Sequence, residues 1–385
     1  VNLHLLLGQI GKSGAGLCPV RGHSNVQGDR TMGIWEKPKA EFLQSLAKEF
    51  NFNPPTKHGF DTIESIKAMH NERAKVFLAM GGNFLSATPD TKFTAEALQK
   101  TNLTVQIITK LNRSALVTGK KALILPPLGR SEIDLQNGKE QFVTTENSMG
   151  NVQMSKGVLE PASKDLRSEV WIVCELAKAV LGKNWDDFKH DYNKIREAIE
   201  RTIPGFENYN EQVRKHGGFY LPNKPRIGEF PTKNGKANFT THELTIRQLE
   251  PNQFLLMTIR SHDQFNTTIY DLNDRYRGIK NERRIIFLNP EDMREFGLKS
   301  GNVVDLTSHF DDGERFANQF IAVPYAIPKR CAATYFPEAN SLVPIGSVAE
   351  KSNTPTSKSV VITIAKNGDE QVGKFNYDFL ARETH

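Results

Sequence analysis

The sequence predicts an α/β chain: a Rossmann-like domain built on a parallel sheet, followed by a compact β-barrel. Apolar runs at residues 74–80, 103–108 and 121–125 are separated by a helical segment and then a short link, the strand–helix–strand rhythm of a parallel sheet. Beyond a stretch rich in Pro, Gly and basic residues at 217–236, short apolar runs take over and helices nearly vanish. The length of 385 residues exceeds what one ordinary core fills and suits two domains.

The chain opens Val1-Asn-Leu-His-Leu-Leu-Leu7, without an initiator Met and already inside an apolar segment. No charged region and cleavage site follow, so a secretory leader is not expected, and the opening reads as a fragment of a longer polypeptide. Gly8-Gln-Ile-Gly-Lys-Ser-Gly14 lacks the first glycine of a phosphate-binding loop and reads as a turn after a helix. Pro19 to Arg30 reads as a loop able to hold an anion, carrying Arg21, His23, Asn25, Gln27 and Arg30. Helical spacing then covers 39–50 and 62–72, with Pro54-Pro55 between them.

The first sheet strand closes in Gly81-Gly-Asn-Phe84 and the second in Thr109-Lys-Leu-Asn-Arg-Ser114. Ligands of parallel sheets bind outside the carboxyl ends of the strands. Glycine there admits a close backbone approach, and Asn and Arg side chains grip phosphate or base. Residues 140–150 read as a strand and polar turn, 168–181 as an amphipathic helix burying Cys174, and 185–213 as helical, broken at Pro204-Gly205. Asn234-Gly235 between Phe230 and Phe239 signals a hairpin.

Strands are expected at 254–259, 284–288, 303–306, 316–323 and 360–364, with a short helix at 290–296 ended by Gly297. The first of these runs into Arg260-Ser-His-Asp-Gln-Phe-Asn-Thr-Thr-Ile-Tyr270, a concentration of hydrogen-bonding side chains that marks a site for something large and polar. Residues 335–343 and 353–358 are polar barrel loops, and 367–385 shows no persuasive pattern.

Charge narrows the function. Fifty basic residues against 44 acidic give +6, which suits an anionic ligand, but the charges are interspersed as they are not in a nucleic-acid-binding tail. No apolar run approaches the ~20 residues of a spanning helix. Cys18, Cys174 and Cys331 lie far apart, which fits a reducing compartment and a cytoplasmic location, and provides no sequence-local metal site. No Gly-x-Ser-x-Gly or His-Glu-x-x-His motif supports a hydrolase.

Four stretches in consistent order resemble formate-dehydrogenase-like molybdopterin oxidoreductases, and specifically the carboxy-terminal half of their catalytic subunit. They are Arg21-Gly-His-Ser-Asn-Val-Gln-Gly28, Gly81-Gly-Asn-Phe84, Arg260 to Thr268, and Leu288-Asn-Pro-Glu-Asp-Met293 with Gly297-Leu298 and Gly301. The resemblance spans about residues 1–366. It implies a partial α/β domain over 1–235, a double-psi β-barrel over 236–366 and a tail over 367–385. It also implies two molybdopterin guanine dinucleotides carrying molybdenum or tungsten. Gly81, Gly82, Asn83, Asn112 and Arg113 would hold one guanine dinucleotide. Arg260, Ser261, His262, Asn266, Thr267 and Thr268 would contact the pterin–pyrophosphate part, with Asn340 and Lys358 from later barrel loops.

In those enzymes an arginine matching Arg21 steadies the anionic substrate beside the metal, and a guanidinium suits a carboxylate bidentately. The position two residues on is often Gln and is His23 here, a group able to titrate or relay a proton. The cysteine cluster of the [4Fe–4S] centre and the Cys or selenocysteine metal ligand match nothing in this chain, so metal ligands are expected elsewhere and the piece alone is expected to be inactive. Formate or a related small anion, and an electron-acceptor subunit, are the implied partners, with no nucleic acid and no membrane segment. A non-enzymatic module binding a nucleotide or anionic partner is the alternative.

Overall fold

The computed structural model describes residues 1–244, 246–267 and 269–371. These gather into two compact units. One takes Val1–Phe60 with Pro126–Thr245, the other Asp61–Leu125 with the described part of 246–385. The expected division cut the chain once, near 235; the compact units instead interleave, and the parallel sheet shares a unit with the barrel. No helix among the described residues is long and apolar enough to cross a membrane.

In the first unit, helix Ala40–Phe50 lies against helix Tyr192–Thr202, joined by Arg201 to Glu49 (Nε to Oε1, 3.0 Å). Helix Glu169–Leu181 starts where Ser168 Oγ accepts from the Trp171 amide (3.1 Å) and ends at Gly182, whose φ of 65° suits glycine. Cys174 is packed inside, as expected. Antiparallel strands Val143–Glu146, Asn151–Ser155 and Phe219–Tyr220 carry a small core of Val152, Phe206, Tyr209, Val213 and Phe219.

Gly218 is a sensitive position of this unit. Its φ is +66°, and a Cβ there would stand 1.9 Å from the Val152 carbonyl oxygen. Both backbone strain and collision oppose a side chain, so Gly218→Ala is expected to cost roughly 2–4 kcal/mol. Urea unfolding of the chain checks this; a midpoint equal to that of the unaltered chain would refute it.

Two expectations in this unit need correction. Residues 26–31 form a helix, Val26–Thr31, inside what read as a loop. Asn25 Oδ1 fixes it by accepting from the Glu146 amide (2.8 Å), and a Cβ on Gly28 would lie 2.2 Å from that same oxygen. The Asn234-Gly235 turn exists, with Gly235 at φ 68°, but no strands flank it. Asn234 instead spends its side chain within the turn, accepting from Thr232 Oγ1 and the Lys236 amide. The flanking Phe239 is 53% exposed, so apolar burial does not drive a pairing there.

The second unit opens on the sheet. Strands β1 (Val76–Met80), β2 (Leu103–Ile107) and β3 (Lys121–Leu125) are parallel, with Met80 opposite Ile107 and Ile107 opposite Leu125. Their carboxyl ends are therefore level. Helices Thr62–His70 and Thr91–Gln99 cover one face over Ile63, Ile66, Met69, Leu85, Ala97 and Leu98. Asp61 and Asp90 cap their starts.

The remaining strands close into a barrel: β4 (Gln253–Ile259), β5 (Ile285–Leu288), β6 (Asn302–Phe310), β7 (Gly313–Pro324), β8 (Cys331–Tyr335) and β9 (Val360–Gln371), in spatial order β5-β7-β6-β9-β4-β8. Pairings are mixed: β5–β7 and β4–β8 are parallel, the rest antiparallel. Alternation along β4 buries Phe254, Leu256 and Thr258, and Leu256, Ile286, Leu288, Val304, Leu306 and Ile362 are fully enclosed. Helix Pro290–Glu295 is capped by Asn289 and followed by Gly297 at φ 65°, as the sequence predicts. β6, β7 and β9 exceed their expected lengths; β9 runs through Gln371, into the stretch without pattern, because β6 supplies a backbone ladder that does not depend on side-chain type. The rest of that tail, 372–385, lies outside the described residues.

Candidate functional site

Three chain segments meet at the second unit's strand ends. After β1, Gly81 and Gly82 take φ of 68° and 72°, and a Cβ built on either meets nothing within 4 Å. The glycines serve the left-handed turn and leave open space beside the backbone. Asn83 follows, 7% exposed, with its carbonyl oxygen accepting from Ser114 Oγ (2.9 Å) and its amide reaching the Thr267 carbonyl (3.5 Å). Asn112 donates to the Gly82 carbonyl (2.8 Å) and accepts from the Ser114 amide (3.0 Å). Asn83 and Asn112 thus brace the two strand ends against each other, while Lys110 and Arg113 stay exposed.

A recess of about 300 Å³ opens between these ends and the barrel loops. Lys110, Leu111, Asn112 and Arg113 line one side, and Thr267, Tyr270, Pro337 and Glu338 the other, with Asn83 and Ser86 between.

The loop after β4 is held from inside. Ser261 (7% exposed) gives its amide to Gln264 Oε1 (3.0 Å), and Gln264 donates to the carbonyls of Asn266 (3.0 Å) and Phe336 (2.7 Å). Asn266 takes φ 54°, which lets Phe265 and Ile269 bond back across a tight turn. Thr267 is buried at its base. His262 stacks on Tyr276 with centroids 3.7 Å apart and Nδ1 3.2 Å from Asp263 Oδ1.

Two cations remain. Arg260 is exposed, its guanidinium over the Phe336 ring at 5.5 Å. Lys358 folds its ammonium back to the Thr258 carbonyl and Oγ1. Among the described residues neither has a carboxylate partner. Burial of the ammonium end, and then the charge of Arg260, push the Lys358 pKa down. A lysine under such pressure favours an added anion.

Of the expected site residues, the structure brings Asn83, Asn112, Arg113 and Thr267 to one recess, with Gly82 bonded to Asn112, while Arg260, Ser261, His262 and Asn266 lie in the loop after β4 and Lys358 bonds to Thr258 of that strand. Asn340 is 3% exposed and gives its amide to the Ser86 carbonyl (2.6 Å), a bracing role. Thr268 lies outside the described residues. Arg21 and His23 belong to the first unit, where both are exposed. Sequence reading did not find Arg283, Glu338 or Gln264. Gln264 stood inside the marked stretch, whereas Arg283 reads as one of two cations before an apolar run and carries no signal.

One unit thus holds a barrel, a parallel sheet with open glycine backbone after β1, and two neighbouring cations, Arg260 and Lys358, without a carboxylate partner among the described residues. Residues 254–362 match the molydopterin dinucleotide binding domain. The chain is 52% identical over 373 residues to an uncharacterized oxidoreductase of Mycobacterium tuberculosis, covering 94% of this chain and 48% of that protein. It is 24% identical over 327 residues to the F420-dependent formate dehydrogenase subunit alpha of Methanocaldococcus jannaschii (80% and 46%). Acetylene hydratase from Pelobacter acetylenicus shares the fold, with a TM-score of 0.52 at 13% identity over 88% of this chain and 52% of that one. The domain match and these relatives make the chain similar to a carboxy-terminal region of the molybdopterin oxidoreductases. It spans about half the length of the curated relatives it matches.

Proposed function

We propose that the chain is the cofactor-cradling part of a molybdenum- or tungsten-dependent enzyme that oxidises formate or a related small anion. The observation that carries this is the pair of cations Arg260 and Lys358, close enough for the one to lower the pKa of the other and uncompensated by any described carboxylate, in the same unit as the open backbone at Gly81 and Gly82. The donor set fits a dinucleotide: cations for its pyrophosphate, and glycine backbone that a Cβ does not obstruct. Arg113 and Lys110 would face the phosphates of one molybdopterin guanine dinucleotide. Arg260, Ser261, Thr267 and Lys358 would hold the pterin–pyrophosphate part, in a barrel of double-psi topology. The same reading includes a second molybdopterin guanine dinucleotide.

When bound, the metal–pterin group supplies two-electron chemistry. The chain's own share is to bind and orient. Arg21 would grip the substrate carboxylate, and His23 would accept or relay the released proton at a ring nitrogen. A [4Fe–4S] centre and an acceptor subunit would take up the electrons. A cytoplasmic setting suits the chain's free thiols. The likeness to a formate dehydrogenase subunit supports the substrate class.

The test is metal and pterin content of the full-length protein produced anaerobically, followed by formate oxidation with an artificial acceptor. About one molybdenum or tungsten and about two guanine dinucleotides per chain are expected. A folded full-length protein carrying neither would overturn the reading and leave a binding module.

A further inference from the structure

A single guanidinium underlies the recess wall. Arg283, 4% exposed just before β5, donates from Nη1 to Ser261 Oγ (2.7 Å) and from Nη2 to Gln264 Oε1 (3.1 Å) and the Phe336 carbonyl (2.9 Å). Its Nε and Nη2 reach the two oxygens of Glu338 at 2.7 and 3.2 Å. The rings of Tyr270 and Tyr335 lie 4.3 and 4.9 Å from its central carbon. Five donors in a rigid fork are what joining the strand-end loop to the 336–338 segment requires, and the shorter, point-charged lysine cannot reproduce it.

Glu338 makes this more than packing. Its residue lines the recess together with Lys110 and Arg113. An uncompensated carboxylate there would repel a phosphate that those cations attract. We propose that Arg283 is a positioning residue that locks the Ser261–Gln264 loop and cancels the charge of Glu338, keeping the recess selective for a nucleotide diphosphate. This rests on the dinucleotide reading above, and it assigns Arg283 and Glu338 as a neutralised pair that does not itself contact ligand.

The test is GDP binding to the 385-residue chain by calorimetry, with far-UV circular dichroism as the check on folding. Arg283→Met should weaken GDP about tenfold or more, since it exposes the carboxylate as well as loosening the loop. The double variant Arg283→Met/Glu338→Gln should recover most of that loss, a rescue that simple loosening would not give. Glu338→Gln alone should bind GDP as well as the unaltered chain or more tightly. If Arg283→Met does not fold, Glu338→Gln decides: weaker binding would show that the carboxylate serves the ligand directly and would overturn the proposal. Absence of GDP binding by the unaltered chain overturns the dinucleotide reading and this inference with it. Binding that survives Arg283→Met, or a double variant no better than the single, overturns this inference alone.

Discussion

Replacing Asp274 by alanine should destabilise the second unit by about 3–5 kcal/mol, the cost of removing one partner of a buried, hydrogen-bonded charge pair. Asp274 is 1% exposed and accepts from Arg277 Nη1 (2.6 Å), the Tyr335 hydroxyl (2.8 Å) and the Tyr276 amide (3.1 Å). Alanine leaves the Tyr335 hydroxyl enclosed without its acceptor, and the Arg277 cation with the Arg260 carbonyl (3.2 Å) but without its carboxylate. Burial by itself raises the pKa of this carboxyl, but the bonds from Tyr335 and Arg277 outweigh it and the net shift is downward. The pH dependence follows. A carboxyl with a lowered folded pKa contributes stability above its unfolded pKa, and that contribution is lost as pH falls from there through the folded value. Burial, then the Asp274 carboxylate, push the Tyr335 phenol upward, so it stays a donor throughout the neutral range. Urea unfolding at pH 7 and again below pH 4 is the measurement. Asp274→Ala should lose most at pH 7, and the gap to the unaltered chain should narrow in acid. An equal gap at both pH values would mean that the ionised form has no special place in the fold.

Much of this architecture was legible as apolar runs, although β1 and β3 leave several of their apolar residues, Val76, Leu78 and Leu123 among them, exposed. The three sheet strands fall where apolar runs end in turn residues, and the barrel strands where short runs recur. What the sequence hid were features that depend on a partner far along the chain. β9 continues through polar residues because β6 lies beside it, and the sheet shares a unit with the barrel through contacts that no local pattern encodes. The site divided in the same way. Gly81 and Gly82 announce themselves because only a special backbone favours two glycines at a strand end. Asn83, Asn112 and Asn340 were marked as ligand groups, yet much of their hydrogen bonding goes to bracing backbone carbonyls and Ser114. An amide side chain looks the same in sequence whether it faces a ligand or a neighbour. Arg283 is the converse, a residue central to holding the loop whose guanidinium partners lie 12 to 55 positions away.

The largest functional effect is expected at Arg260 and Lys358, cations without a carboxylate partner among the described residues. Arg260→Ala and Lys358→Ala should each weaken GDP binding to the chain about tenfold, and the double variant about a hundredfold, the scale of one charge-assisted phosphate contact per residue. Electrostatics adds a sharper signature. In the ligand-free chain the Lys358 ammonium is penalised first by burial and then by Arg260, so the folded chain holds that proton less tightly than the unfolded chain does. The charged lysine therefore costs the fold stability at neutral pH, and the cost falls away as pH rises from its lowered folded pKa through the unfolded value. Arg260→Ala removes one of the two causes and should move the Lys358 titration upward, and a bound diphosphate should move it further by adding negative charge beside the ammonium. Carbon-13 labelling of lysine Cε reads that titration directly. A Lys358 titration unmoved by either change would separate the two cations and remove the basis for assigning them to one phosphate. An upward shift in both cases would tie them to a single anion site, built at the strand ends from residues nearly a hundred positions apart.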